Sequence, residues 1–153
     1  MLAKELMVKP PITVDRTTPV SEVISLMLLH AVSAIFVTDG EGRVIGVVSE
    51  GDLIRRTDTA HENRLQHWLG LLAEGQPLNL EFLKNLRLEQ RTAAEVMSMP
   101  AITVDESADV AQVSSLLVQH NIKSLPVLSM GKMTGVISRR DILRAVVEQA
   151  GKV

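Results

Sequence analysis

An α+β fold is predicted for these 153 residues, built from two pseudo-twofold related β-α-β-β-α repeats joined by a helical insert. Three observations predict it. Residues 3–39 align without gaps on 93–129, and 42–55 on 131–144, with about 20 identities in about 51 compared positions. Within each copy, short β-prone runs alternate with apolar residues at helical spacing. The composition is 46% hydrophobic but only 2% aromatic, so the core is built from Val, Ile, Leu and Met. That length suits one domain or two small ones sharing a core. Two copies imply a pair burying a shared face, because a solenoid needs about three or more.

Repeat one spans 3–56, the insert 57–92 and repeat two 93–150. Ile12-Thr13-Val14 and Ile102-Thr103-Val104 are the short opening strands. Pro19, behind Thr18, suits the first position of a helix. Val20, Val23, Ile24, Met27 and Ala31 fall on one face of it. In copy two, Val110, Val113, Leu117 and Asn121 occupy the same rows, with Asp109 at the positive end of the helix dipole. The runs 34–38 and 43–49 flank Asp39-Gly40-Glu41-Gly42, a hairpin signal. The runs 125–128 and 133–138 flank the shorter Ser129-Met130-Gly131-Lys132. Closing helices follow at 51–56 and 140–150.

In the insert, Leu65, Trp68, Leu69 and Leu72 sit at i, i+3, i+4 and i+7, an amphipathic helix stopped by Gly75 and Pro77. Phe82, Leu83 and Leu86 predict a second short helix after Asn79. Thr92-x-x-Glu95 has the spacing of a capping box. The insert either packs on its own module or forms a partner surface anchored by Trp68.

Several functions are disfavoured or excluded at this level. The net charge of −2 and the scarcity of aromatic side chains argue against a nucleic-acid binder driven by bulk charge or stacking. Without cysteine there is no disulfide, thiolate metal site or Cys nucleophile. No run of ~18 apolar residues predicts a membrane span, and the first residues do not read as a secretory signal, so a cytoplasmic protein is expected. His61-Glu62-Asn63-Arg64-Leu65 lacks the second His of a zinc motif, and neither a Gly-x-Ser-x-Gly elbow nor a P-loop is present. His30 and His120 occupy matched helix ends, where a His meets the negative dipole end.

The chemistry concentrates in one repeated element. Gly46-Val47-Val48-Ser49-Glu50-Gly51-Asp52 recurs as Gly135-Val136-Ile137-Ser138-Arg139-Arg140-Asp141, after a strand and at the start of a helix. Ser-x-x-Asp there is a variant capping box. The same geometry turns a hydroxyl and a carboxylate toward a ligand. A carboxylate accepts two hydrogen bonds from a ribose diol, and neighbouring N–H groups favour phosphate. Both readings stand open on the residues alone. Arg139, Arg140 and Arg144 form the one local basic cluster, either a solvated helix face or a phosphate contact.

Two correctly spaced copies of Gly-hydrophobic-hydrophobic-Ser-x-x-Asp, each closing a strand–helix–hairpin–helix unit, resemble the CBS domain, and the pair resembles a Bateman module. The resemblance covers all but the insert. It implies tandem CBS domains that regulate something else by binding an adenine nucleotide (AMP, ADP or ATP, with or without Mg) or a related adenosyl ligand in clefts between the copies. By that resemblance Asp52 and Asp141 hold ribose with Ser49 and Ser138 beside them. Thr13, Thr103 and the backbone at Ala34-Ile35 and Ser124-Leu125 lie near the adenine. Lys123, Arg139 and Arg140 join the second site by their charge. Phe36 stands where copy two has Pro126, the residue frequent in the family. The run Leu53-Ile54-Arg55-Arg56 with Arg64 and Trp68 is similar to a bacterial subgroup in which a BON domain often follows. The resemblance further implies a homodimer with an unknown effector, no catalytic residues and no metal. The alternatives are a structural dimerisation module without ligand and a nucleotide-using enzyme.

Overall fold

The computed structural model describes residues 1–55 and 91–151. Both helices predicted for the insert fall outside those residues. In chain order the elements are α1 (Ala3–Leu6), β1 (Thr13–Val14), α2 (Val20–His30), β2 (Ala34–Thr38), β3 (Val44–Ser49), α3 (Glu50–Arg55), α4 (Ala93–Val96), β4 (Val104–Asp105), α5 (Val110–Gln119), β5 (Ser124–Ser129), β6 (Lys132–Ser138) and α6 (Arg139–Ala150). Two three-stranded sheets result, ordered β1-β2-β3 and β4-β5-β6. β4 runs parallel to β5 with Val104 opposite Val127, and β5 runs antiparallel to β6 with Leu125 opposite Ile137. The α+β reading and the twofold repetition hold.

Each copy opens with a single helical turn, α1 or α4, that the apolar periodicity does not reveal. One turn is too short to carry a 3.6-residue pattern. Instead the flanking residues define it. Glu5 accepts from the Leu2 N–H at 2.6 Å, while Thr92 donates its hydroxyl to Glu95 at 3.2 Å rather than capping the turn with its side chain. Pro19 sits one position earlier than expected, as the N-cap of α2, with extended ψ. The helix faces end sooner than predicted as well. Ala31 and Asn121 are exposed and adopt left-handed φ of 52° and 50°, terminating α2 and α5 instead of extending their buried rows.

The hairpin turns differ in kind. In the longer one, Asp39 Oδ1 accepts from the Glu41 and Arg43 N–H groups at 2.9 and 3.0 Å, and Gly42 takes φ +83°. In the shorter one, Met130 and Gly131 both have positive φ, which matches the twist of a two-residue hairpin connection.

The chain forms two compact units. One comprises 1–13, 38–45 and 100–153, and the other 14–37 and 46–99. The opening stretch of each sequence repeat is therefore built into the unit that carries the other copy's closing helix. In the first unit Ala3 is fully buried among Val104, Val113, Leu117, Leu125, Val127 and Ile137. The Ala3 N–H donates to the Ala108 carbonyl at 2.7 Å, and Val8 bridges antiparallel to Val136. In the second unit Val20, Val23, Ile35, Val37, Val48 and Val96 are fully buried. Ala93 N–H donates to Thr18 at 2.8 Å, and Ser98 bridges antiparallel to Val47. Burying each such Val, Leu or Ile contributes about 1.5–3 kcal/mol against chain entropy.

Gly46 and Gly135 make those bridges possible. A Cβ on Gly46 would lie 2.7 Å from Met97 Sδ and 3.0 Å from the Ser98 carbonyl oxygen. A Cβ on Gly135 would lie 2.7 Å from Met7 Sδ and 3.0 Å from the Val8 carbonyl oxygen. The glycine that opens the repeated element is there because another backbone passes over it.

Candidate ligand-binding turns

In the second unit β3 ends at Ser49 and α3 begins at Glu50. Asp52 is 3% exposed. Its Oδ2 accepts from the Ser49 N–H at 2.9 Å and the Ser49 hydroxyl at 3.0 Å, and Ser49 Oγ accepts from the Asp52 N–H at 3.1 Å. The second carboxylate oxygen, Oδ1, accepts from the Ser98 hydroxyl at 2.6 Å. The main chain is set by a hydrogen bond from Glu50 N–H to the Ser33 carbonyl at 3.0 Å.

The first unit repeats the construction. Ser138 is the N-cap of α6, and Asp141 is 4% exposed. Asp141 Oδ2 accepts from the Ser138 N–H at 2.8 Å and the Ser138 hydroxyl at 2.9 Å. The capping box is thus formed in both copies. It uses one carboxylate oxygen and leaves the other pointing to a different partner. Here that partner is Arg144, whose guanidinium stands 3.4 Å from Oδ1 and whose side chain is 59% exposed. Arg139 N–H donates to the Lys123 carbonyl at 3.0 Å, matching the Glu50 to Ser33 bond.

The other expected site residues distribute as follows. Ser124 pairs across the sheet with Ser138, and Ile35 and Leu125 are fully buried. Ala34 is half-buried at the start of β2, and Lys123 and Arg140 are exposed. Arg139 turns back: its Nε donates to the Ile122 carbonyl at 3.0 Å and its terminal nitrogen reaches Asn121 Oδ1 at 3.4 Å. It thereby ties down the stretch beyond α5. Thr13 lies exposed in β1 and Thr103 half-buried just before β4. Among the described residues no hydrogen bond links either threonine to a Ser–Asp pair. Ser98 was not singled out by sequence. Its signal was the mismatch with Val8 at the matched position of copy one.

Three other aspartates, Asp15, Asp39 and Asp105, are held below the usual carboxylate range. For Asp15 and Asp105 the largest causes are hydrogen bonds from the side chain and N–H of Thr17 and Ser107 respectively, and for Asp39 they are the Arg43 and Glu41 N–H groups. They fasten turns rather than a site. Among the described residues no cluster of His, Asp or Glu could hold a metal ion, and no helix is long and apolar enough to cross a membrane.

Known proteins share this arrangement. Residues 3–58 and 93–148 each match the CBS domain. An uncharacterised protein of Methanocaldococcus jannaschii is 28% identical over 161 residues, covering 96% of this chain and 92% of its own. CBSX2, a chloroplastic CBS domain-containing protein of Arabidopsis thaliana, was solved in complex with AMP. It superposes with a TM-score of 0.71 at 22% identity, over 97% of this chain and 98% of its own. The CBS domain pair of protein MJ0100, in complex with 5′-methylthioadenosine and S-adenosyl-L-methionine, gives a TM-score of 0.68 at 21% identity, over 97% and 98%. Some longer relatives are matched only in part: the chain spans 23% of the L-aspartate semialdehyde sulfurtransferase of M. jannaschii. With two matched copies covering most of its length and the paired Ser-x-x-Asp turns in place, the chain belongs to the CBS domain family.

Proposed function

We propose that this chain is a regulatory module that binds an adenosyl ligand, AMP, ADP, ATP or a relative, through the carboxylates of Asp52 and Asp141. The observation that carries the reading is the paired burial of those two carboxylates, each with one oxygen fixed by its own turn. A carboxylate so oriented is a ready acceptor for a ribose diol. The AMP, methylthioadenosine and S-adenosylmethionine complexes of similarly folded pairs support the ligand class. On this reading Ser49 and Ser138 orient the carboxylates. The main chains at Ala34-Ile35 and Ser124-Leu125, with Thr13 and Thr103, line the base. Lys123, Arg139 and Arg140 supply positive charge, with Mg accompanying a triphosphate. The module acts in the cytoplasm on an unknown effector domain or protein and catalyses nothing itself.

The module works as a homodimer. Leu28 and Leu29 on α2 are 64% and 76% exposed, and Val118, Leu143, Val146 and Val147 on α5 and α6 are also exposed. Apolar surface of that extent marks an interface. Light scattering at tens of micromolar is expected to give twice the chain mass, and a monomer with and without nucleotide would reject the dimer.

Thermal denaturation with AMP, ADP, ATP, NAD and S-adenosylmethionine tests the binding. A ligand specific for the folded state stabilises by RT ln(1 + [L]/Kd), about 2.7 kcal/mol at a hundredfold excess. A shift with at least one of the five is expected. No shift with any would leave a structural dimerisation module, and product formation would revive an enzyme.

A further inference from the structure

The two carboxylates are not offered equally. Each Asp has one oxygen filled by its capping serine, so any ligand must use the other, Oδ1. At Asp52 that oxygen already accepts a 2.6 Å hydrogen bond from the buried-side hydroxyl of Ser98. At Asp141 the position matched to Ser98 is Val8, which has no hydroxyl, and among the described residues Oδ1 meets only a long 3.4 Å contact from the exposed Arg144. A carboxylate oxygen has about two lone-pair sites, so Ser98 takes one that Asp52 could otherwise give to a diol. The surroundings differ in the same sense. Glu50-Gly51 in copy one is replaced by Arg139-Arg140 in copy two, and Ser33 by Lys123. Arg139 is engaged with Ile122, which leaves Arg140 and Lys123, beside the Asp141-bound Arg144, as exposed cations at that turn.

Resting on the nucleotide-binding reading above, we infer that the Asp141 turn is the tighter site for a phosphorylated adenosyl ligand, with Ser98 and Arg140 as the residues that set the difference. Charge-assisted hydrogen bonds to phosphate are roughly twice as strong as neutral ones, and Arg makes them bidentately. Glu50 at the first turn repels the same group.

Calorimetric titration of the full chain with AMP and with adenosine tests this. Wild type is expected to show two phases for AMP, separated by about tenfold or more, the effect of one charge-assisted hydrogen bond. Asp141→Asn removes the tight phase, whereas Asp52→Asn leaves it; the Asn amide oxygen still accepts from the capping serine's N–H, so the fold survives. Arg140→Gln weakens the tight phase for AMP and leaves adenosine unchanged. The reciprocal pair is the sharpest arm. Ser98→Val, a residue the fold already accepts at the matched position, strengthens the weaker phase, and Val8→Ser weakens the tighter one. Equal phases in wild type, the reverse order of the two Asp variants, or a reciprocal swap that moves neither phase overturns the inference while the nucleotide-binding reading stands. Absence of binding by AMP and adenosine alike overturns the reading itself, and the inference with it.

Discussion

The thioether of Met97 crosses the Cα of Gly46 so closely that a Cβ there would meet sulfur at 2.7 Å, and Met7 does the same to Gly135. A methyl group added at either glycine must displace the sulfur and push on a backbone carbonyl 3.0 Å away. Overpacking of that kind costs about 1–3 kcal/mol. Gly46→Ala and Gly135→Ala are expected to lower the urea midpoint correspondingly, while Gly40→Ala, with nothing within 4 Å of the new carbon, is neutral. Equal effects at all three positions would reject the close-approach explanation.

The left-handed residues that end α2 and α5 predict an uncommon gain. Ala31 holds φ 52° with a Cβ that disfavours it, and glycine carries no such penalty. Ala31→Gly is expected to stabilise by about 0.5–1 kcal/mol, the steric relief outweighing the added flexibility of the unfolded chain. Asn121→Gly gains less, because Asn tolerates this conformation. Thermal denaturation of the two variants side by side distinguishes them, and a drop in melting temperature for Ala31→Gly would reject the argument.

Fold and site were legible to different depths. Val20, Val23 and Met27, and Val113 and Leu117, announced their helices because one face of each meets a core and repeats at 3.6 residues. The strand 34–38 was readable from its continuous β-prone run, and the strand Ser124–Ser129 over its central 125–128. α1 and α4 were not, since a single turn held by its neighbours leaves no period to detect. The Ser-x-x-Asp pairing was visible because it is local in sequence. Ser98 was not, because it reaches Asp52 from 46 residues away and nothing in local spacing encodes that distance. The backward turn of Arg139 was also hidden: a charge beside a candidate site says nothing about which carbonyl it prefers.

Truncating two serine hydroxyls, one a helix cap and one a donor to Asp52, separates their roles. Ser138→Ala removes a hydroxyl that caps α6 and steadies Asp141, and is expected to cost about 1 kcal/mol in equilibrium unfolding. Ser98→Ala leaves the buried Asp52 with one donor fewer, a loss of about 1–3 kcal/mol. If Ser98→Ala proves silent in denaturant titration, its hydrogen bond contributes nothing net to the fold.

Acid sensitivity follows from Asp15, Asp39 and Asp105, whose carboxylates are held below the ordinary value of 3.8 by hydrogen bonds made only in the folded chain. The unfolded chain binds more protons in that range, so stability rises with pH there. The contribution is complete above the unfolded value and is lost as pH falls below it through the folded ones. Asp15→Asn and Asp105→Asn are expected to flatten the fall in melting temperature below about pH 4. An unchanged acid limb would show that these turns do not govern it.

The exchange of opening stretches has a consequence for how the chain is made. On emergence from a ribosome, residues 92–99 find Thr18 and Val47 already synthesised, so the unit holding Asp52 can close on arrival. Residues 1–8 must instead wait for Ala108 and Val136, and the Ala3–Ala108 bond closes a loop of 105 residues (108 − 3). Loop-closure entropy grows slowly with length, so the delay weighs on the order of events far more than on the final balance. Residues 1–8, made before both of their partners, are the last to dock, and damage to Ala3 or Met7 would be felt in the half that carries Asp141.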